Sequence, residues 1–277
     1  APTNATLYYT KYKENDRVKS ISYTYDGEGY LLMKPSDKKT LCTMSDGVNG
    51  ADGIVHHPGG KHLLVAGQGH PVYMVNKETA AGGKCLVKTA RDNDNGTSGF
   101  WHLMVDPTQK ILWGAGIPGP LYRFPTGKDA SPESFSSEGY KVKLTADASN
   151  YRKDDQLATI VWDANGVAYF TYSSYTGGGC EDICDKNGNC NKCSASNRKS
   201  KAAGAYFGYF SDTTWYTIKN GEESKYGGKA GDRVITGFKT KILIDSLEGA
   251  HGGTYDPYSK TIFVFGGSRI VQIEPFT

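Results

Sequence analysis

Along much of the chain, apolar and polar residues alternate with period two, in short runs broken by Gly, Pro, Asn and Asp. That pattern predicts consecutive antiparallel strands joined by tight turns. The pattern also repeats. GADGIVHHPGGKHLLVAGQGHPVYMVN starts at Gly50, FWHLMVDPTQKILWGAGIPGPLYRF at Phe100 and AHGGTYDPYSKTIFVFGGSRIVQIEP at Ala250, with a looser copy, DQLATIVWDANGVAYFTYSS, at Asp155. Each copy has an apolar run, a turn and a second apolar run, and three copies add a third run. The turns fall at His57-Pro58, Asp106-Pro107, Asp163-Ala164 and Asp256-Pro257.

Used as a ruler, His57, Asp106 and Asp163 lie about 50 residues apart, close to one four-stranded blade of a repeat fold. The gap to Asp256 is longer because of a Cys-, Gly- and Asn-rich insertion at about 175–203. With the insertion set aside, one more blade fits the runs Ala158 to Trp162, Val167 to Ser173, Gly204 to Ser211 and Lys239 to Asp245. The N-terminal runs Thr6 to Tyr12, Val18 to Tyr25, Tyr30 to Lys34 and Thr40 to Thr43 supply a divergent blade. The reading is all-β, a single β-propeller domain over residues 1–277 with five blades, or six if 206–247 hides another. The last copy has only three clear strands, so an N-terminal strand is expected to pair with it and close the ring. A β-sandwich or jelly roll is the competing fold, but it does not require one phrase four times.

Composition narrows the partners. The 35 Gly and 19 Tyr suit strands and tight turns. With 32 basic and 29 acidic residues the net charge is +3, too balanced for a nucleic-acid surface. No apolar run nears the roughly 20 residues that span a membrane. The expectation is a monomer with neither nucleic-acid nor membrane partners. The start Ala-Pro-Thr reads as a processed, mature chain, hence secreted. Six cysteines (Cys42, Cys85, Cys180, Cys184, Cys190 and Cys193) suit disulfides in that compartment, with the pairing open. The last four could instead hold zinc. Asn4-Ala5-Thr6 and Asn95-Gly96-Thr97 are glycosylation sequons. The stretch from Asp185 to Asn189 resembles the opening of a calcium loop, but Gly188 comes early and no distal Glu follows. The cofactor expectation is a divalent ion, calcium or a transition metal, and no organic cofactor.

In a propeller, the starts of the innermost strands and the loops between second and third strands open on one face. Counting back from the turns, Asp52 and His251 share one repeat position and His102 lies within one place of it. Two histidines and a carboxylate suit general acid–base chemistry or a metal site. Gln156 starts another innermost strand, with Tyr151 and Arg152 just before it. Gln68, His70 and Arg269 lie in or beside the other loops, and the insertion would cap the same mouth. Plainer readings stand beside these. A histidine at a strand start often only hydrogen-bonds a neighbouring blade, Trp101 reads as core, and His56 and His57 read as structural.

Ala250-His251-Gly252 and Phe100-Trp101-His102-Leu103, each followed by an Asp-Pro turn, resemble the repeats of virginiamycin B lyase-like propellers, in a wider group with gluconolactonase-like and NHL-repeat proteins. The resemblance implies a channel-mouth His as general base beside a divalent metal, and His251 matches that residue type. The expected function is a secreted polysaccharide lyase that cleaves a uronic-acid-containing glycan by β-elimination. His251 or His102 would be the base and Tyr151 the proton donor. Asp52, Gln68, His70, Arg152, Gln156 and Arg269 would hold substrate, and Asp52, His102 and His251 would hold the metal. A lectin-like propeller without catalysis and a glycoside hydrolase using Asp52 and Asp155 are the alternatives.

Overall fold

A computed structural model of the chain describes residues 4–11, 17–44, 51–67, 72–79, 81–91, 99–116, 121–126, 135, 140–145, 156–173, 203–209, 214–223, 230–236, 240–247, 250–266 and 269–275. The alternating runs form strands nearly throughout, and these strands assemble into five sheets. The first holds β1 (Ala5–Lys11), β2 (Arg17–Tyr25), β3 (Leu31–Met33) and β4 (Lys39–Thr43). The second is a meander of β5 (Ala51–His56), β6 (His62–Gly67), β7 (Val72–Thr79) and β8 (Cys85–Arg91). The third begins as β9 (Phe100–Val105), β10 (Ile111–Gly116), β11 (Leu121–Pro125) and β12 (Tyr140–Thr145). The fourth holds β13 (Gln156–Trp162), β14 (Val167–Ser173), β15 (Ala203–Tyr209) and β18 (Thr240–Leu247). The fifth holds β19 (Ala250–Asp256), β20 (Thr261–Gly266) and β21 (Arg269–Ile273).

Each sheet buries its faces against a neighbour. Val18 and Cys42 of the first meet Leu63, Val65 and Val75 of the second. Leu64 and Met74 meet Phe100, Leu103 and Tyr122 of the third. Trp113 of the third lies 5.3 Å from Trp162 of the fourth, ring centre to ring centre. Val161 and Tyr169 meet Ile262 and Val264 of the fifth. Phe263 of the fifth returns to Ala5, Leu7, Ile21 and Tyr23 of the first. A strand held between two sheets has no polar face, which is why Leu63 to Gly67 reads as an unbroken apolar run and is buried throughout.

The turns are built alike. A backbone carbonyl accepts from the amide three residues on at Asp26, His57, Asp106 and Asp163. The residue there takes positive φ in each case: Gly29, Gly60, Gln109 and Gly166. The Asp163 carboxylate accepts from the amides of Asn165 and Val167, and Asp26 accepts from those of Glu28 and Tyr30 in the same spacing. Asp26 is thus a further copy of the turn, carried by a Tyr25-Asp26-Gly27 phrase too divergent to align by eye.

Three expectations need correction. First, β1 pairs β2 and β21 pairs β20, so no N-terminal strand joins the last sheet among the described residues. The two sheets meet face to face through Phe263 instead, and side chains tie the seam. Asp256 accepts hydrogen bonds from Tyr23 and Tyr25 hydroxyls and from the Ser259 amide and hydroxyl. Gln272 accepts from the Leu31 amide at 3.0 Å and donates to the Gly29 carbonyl at 3.3 Å. Second, β3 and β4 both pair with β2, antiparallel, along successive halves of it. They are one strand broken by the short 3-10 turn Pro35–Asp37, where proline cannot donate to the ladder. Third, the described residues of 206–247 form no separate sheet. Their two extra strands, β16 (Thr214–Thr217) and β17 (Arg233–Thr236), form a hairpin that joins the third sheet through a parallel β12–β17 pairing.

Cys42 on β4 and Cys85 on β8 form a disulfide between the first two sheets, as expected of an oxidising compartment. Cys180, Cys184, Cys190 and Cys193, with the rest of the insertion, lie outside the described residues. No described helix is long and apolar enough to cross a membrane.

The Cys42–Cys85 bridge closes a loop with a sequence separation of 43. Replacing both cysteines with serine should cost about 2–4 kcal/mol of stability, read as a lower denaturant midpoint with a steeper slope, because the uncrosslinked unfolded chain exposes more surface.

Candidate functional site

The innermost strands β5, β9, β13 and β19 share one irregularity. Ala51 pairs Gly67 but Gly53 pairs Ala66, so Asp52 is an extra residue bulged from the ladder. The same slip falls at Trp101, between Phe100–Gly116 and His102–Ala115. It falls at Ala158, between Leu157–Tyr172 and Thr159–Thr171, and at His251, between Ala250–Gly266 and Gly252–Phe265. A β-bulge re-aims a side chain and bends its strand, and bulges gather at rims and active sites. Four equivalent bulges at one end of four adjoining strands define the candidate site.

Residues just past the bulges hold the strands together. A Cβ on Gly53 would lie 3.1 Å from the Cα of His102 and 3.0 Å from the Leu103 nitrogen, so β5 and β9 approach backbone to backbone. Any larger residue would need β9 to shift by a few tenths of an ångström. His102 hydrogen-bonds the Ile160 backbone on β13. A Cβ on Gly253 would meet the Phe263 carbonyl at 3.0 Å and the side chains of Thr159 and Val161 at 3.1 Å, which sets β19 against β13.

These contacts sort the predicted residues. The repeat placed Asp52 and His251 at one position, and the bulges do the same. They put Trp101, not His102, in third place. Trp101 is half-buried between buried Phe100 and His102. His102 is 4% exposed, and its Nε2 has no hydrogen-bond partner among the described residues. Burial holds its pKa down to about 4, against a small opposing pull from the Ile160 backbone. It therefore bridges two strands as a neutral ring. Asp52 is half-buried, and its backbone carbonyl accepts from the Thr10 hydroxyl at 2.8 Å. Gln156 opens β13, just before the Ala158 bulge. Arg269 is exposed and pairs with Gly266, the residue whose other neighbour is Ala250. It stands on the same rim as His251. The bulged position was legible in the repeat: Asp52, Trp101, Ala158 and His251 each precede their turn residue by the same number of positions, and His102 lies one place later. Gln68, His70, Tyr151 and Arg152 lie outside the described residues, as does the side chain of His251. Among the described residues no group of three or more His, Cys, Asp or Glu is arranged to hold a metal ion.

His57, read as structural, accepts the Gly59 amide through Nδ1 and caps its own turn. His56 packs edge-on to Tyr8, whose ring also lies 5.4 Å from the Lys77 amino group. Burial, and then the Lys77 charge, lower the His56 pKa.

No family model matches the chain, and no curated protein matches it in sequence. Solved structures do. The Cps50 (Swd1) β-propeller domain of Myceliophteria thermophila is 12% identical at a TM-score of 0.39, over 91% of this chain and 61% of that one. The chain thus spans less than two thirds of that neighbour. A candidate 6-phosphogluconolactonase from Bacteroides fragilis is 11% identical at 0.39, over 98% of this chain and 80% of that one. The calcium structure of a Trichoderma reesei enzyme of carbohydrate-active family AA12 is 9% identical at 0.37, over 99% and 79%.

The strand contacts generate two expected outcomes. Gly53→Ala should destabilise the fold by about 1–3 kcal/mol, because the added methyl meets backbone that cannot rotate away. Unfolded, His102 takes a proton near 6.5, but folded only near 4. Between those values the unfolded chain binds more protons, so stability is full above about 6.5 and falls as pH drops toward 4. The loss should approach about 3 kcal/mol, and His102→Gln should flatten that part of the pH–stability curve in chemical denaturation.

Proposed function

We propose that the chain is a secreted five-bladed β-propeller that acts as a polysaccharide lyase at the bulged rim. The propeller reading is supported by five sheets that each bury their faces against the next, by Phe263 leading from the last back to the first, and by the repeated turn.

One observation carries the catalytic reading. The bulge repeats on four strands, but its residue does not: Asp52, Trp101, Ala158, His251. A lectin with a sugar site per blade would repeat the residue as well as the geometry. A composite site built once needs different groups at equivalent places. His251 then serves as base, with Arg269 on the same rim to neutralise a substrate carboxylate.

In this mechanism His251 removes the proton on the carbon next to the uronate carboxyl group. The electron pair left behind forms a carbon–carbon double bond as the glycosidic oxygen on the adjacent carbon departs. Tyr151 gives that oxygen its proton. Arg269, with Arg152, offsets the charge that grows on the carboxylate. Gln156, Gln68 and His70 hydrogen-bond sugar hydroxyls. His102 is a positioning residue, since a buried neutral ring between strands cannot reach substrate. The described residues do not supply a donor set for a divalent ion.

The test is incubation with a panel of uronate polymers and measurement of the ultraviolet absorbance of the unsaturated product. Activity is expected on at least one, with kcat lowered about 10²–10⁴-fold in His251→Ala. Glycan binding with no product on any polymer would instead make the chain a binding module, and saturated reducing ends would make it a hydrolase.

A further inference from the structure

Resting on the glycan-active reading above, we infer that Trp101 and Asp52 form a subsite for a neutral sugar. The substrate would then be a glycan in which a neutral pyranose neighbours the uronate, rather than a run of uronates alone.

Trp101 and Asp52 occupy equivalent bulged positions on β9 and β5. The residues immediately after them, His102 and Gly53, are in backbone contact, with the Gly53 Cβ position 3.1 Å from the His102 Cα. The two bulged residues therefore come side by side on one rim. Both are half-buried, and each is flanked on both sides by buried residues: Ala51 and Gly53, Phe100 and His102. An indole and a carboxylate side by side are complementary to a pyranose. In this subsite the sugar's C–H face stacks on the ring, and a hydroxyl donates to Oδ1 of Asp52, since Oδ2 is buried.

Charge decides which sugar. A uronate carboxylate set beside Asp52 would meet a like charge in a partly buried place, where screening is weak. On β19 the rim instead carries His251, with exposed Arg269 beside it. The rim thus has a side that repels a substrate carboxylate and a side that attracts one. A chain of uronates would place a carboxylate on both.

Two measurements test this separately from catalysis. The first is titration of the intact protein with neutral oligosaccharides, monitored by calorimetry and tryptophan fluorescence. Binding is expected in the wild type, lost by at least tenfold in Trp101→Ala and in Asp52→Asn, and kept in Trp101→Phe, with thermal unfolding confirming that each variant folds. Absence of neutral-sugar binding in the wild type, or binding that survives Trp101→Ala, overturns the subsite whatever the lyase assay shows. The second compares a uronate homopolymer with a copolymer carrying neutral residues. Asp52→Asn should narrow the preference for the copolymer, and a wild type that prefers the homopolymer overturns the charge argument. Trp101-dependent neutral binding without any elimination would leave the subsite standing and remove the lyase.

Discussion

The inner strands of these sheets are apolar on both faces and cannot be buried by one sheet alone. A four-stranded sheet exposed on both sides would leave the residues of β6 and β10 in water, at about 25 cal/mol for each Å² of apolar surface. The fold answers by setting each sheet on the next. The innermost strands must then come close, and the closeness depends on specific residues: Gly53 on β5, Gly253 on β19, and the His102 bond to Ile160 between them. The same contacts fix where the bulged residues stand relative to one another. Packing of the core and geometry of the candidate site are therefore one constraint seen from two ends.

Much of this was legible in the sequence. Alternation located the strands of the first and fourth sheets to within a few residues, because apolar runs and glycine-bearing turns are local signals. The turn ruler placed Asp52 and His251 at one repeat position without any structure. It left His102 one place off that position, which Trp101 holds; His102 drew attention by its residue type, and only the pairing register shows that the neighbouring indole is the bulged group. The ruler also passed over Asp26, whose turn uses the same hydrogen bonds as Asp163 but sits in a different phrase. How sheets pair across the seam was not legible at all. Face-to-face packing of Phe263 on Leu7 and Ile21 leaves no periodic trace, whereas an added strand would have.

The seam between the first and last sheets adds a cluster of polar bonds to the apolar packing of Phe263. Asp256 gathers two tyrosine hydroxyls and the Ser259 amide and hydroxyl. Burial alone would raise its pKa, but bonds from Ser259, Tyr25 and Tyr23 outweigh it and hold the carboxyl below its usual range. Burial, and then that carboxylate, raise both tyrosines, Tyr25 to about 12. The carboxylate supports folding above the ordinary carboxyl pKa and ceases to do so as acid protonates it. Directional bonds at this seam join sheets that the chain itself does not connect in sequence.

The excursion of β16 and β17 has a consequence for how the molecule comes together. The chain lays down β15, crosses to pair β17 beside β12, and only then returns to place β18. A stack of independent repeats can lose one member and keep the others, since each touches only its neighbours' surfaces. Here the hairpin that completes the third sheet lies in the chain between the last two strands of the fourth. The two are stitched into one unit of folding, with a long-range parallel pairing as the thread and the slow search such pairings entail.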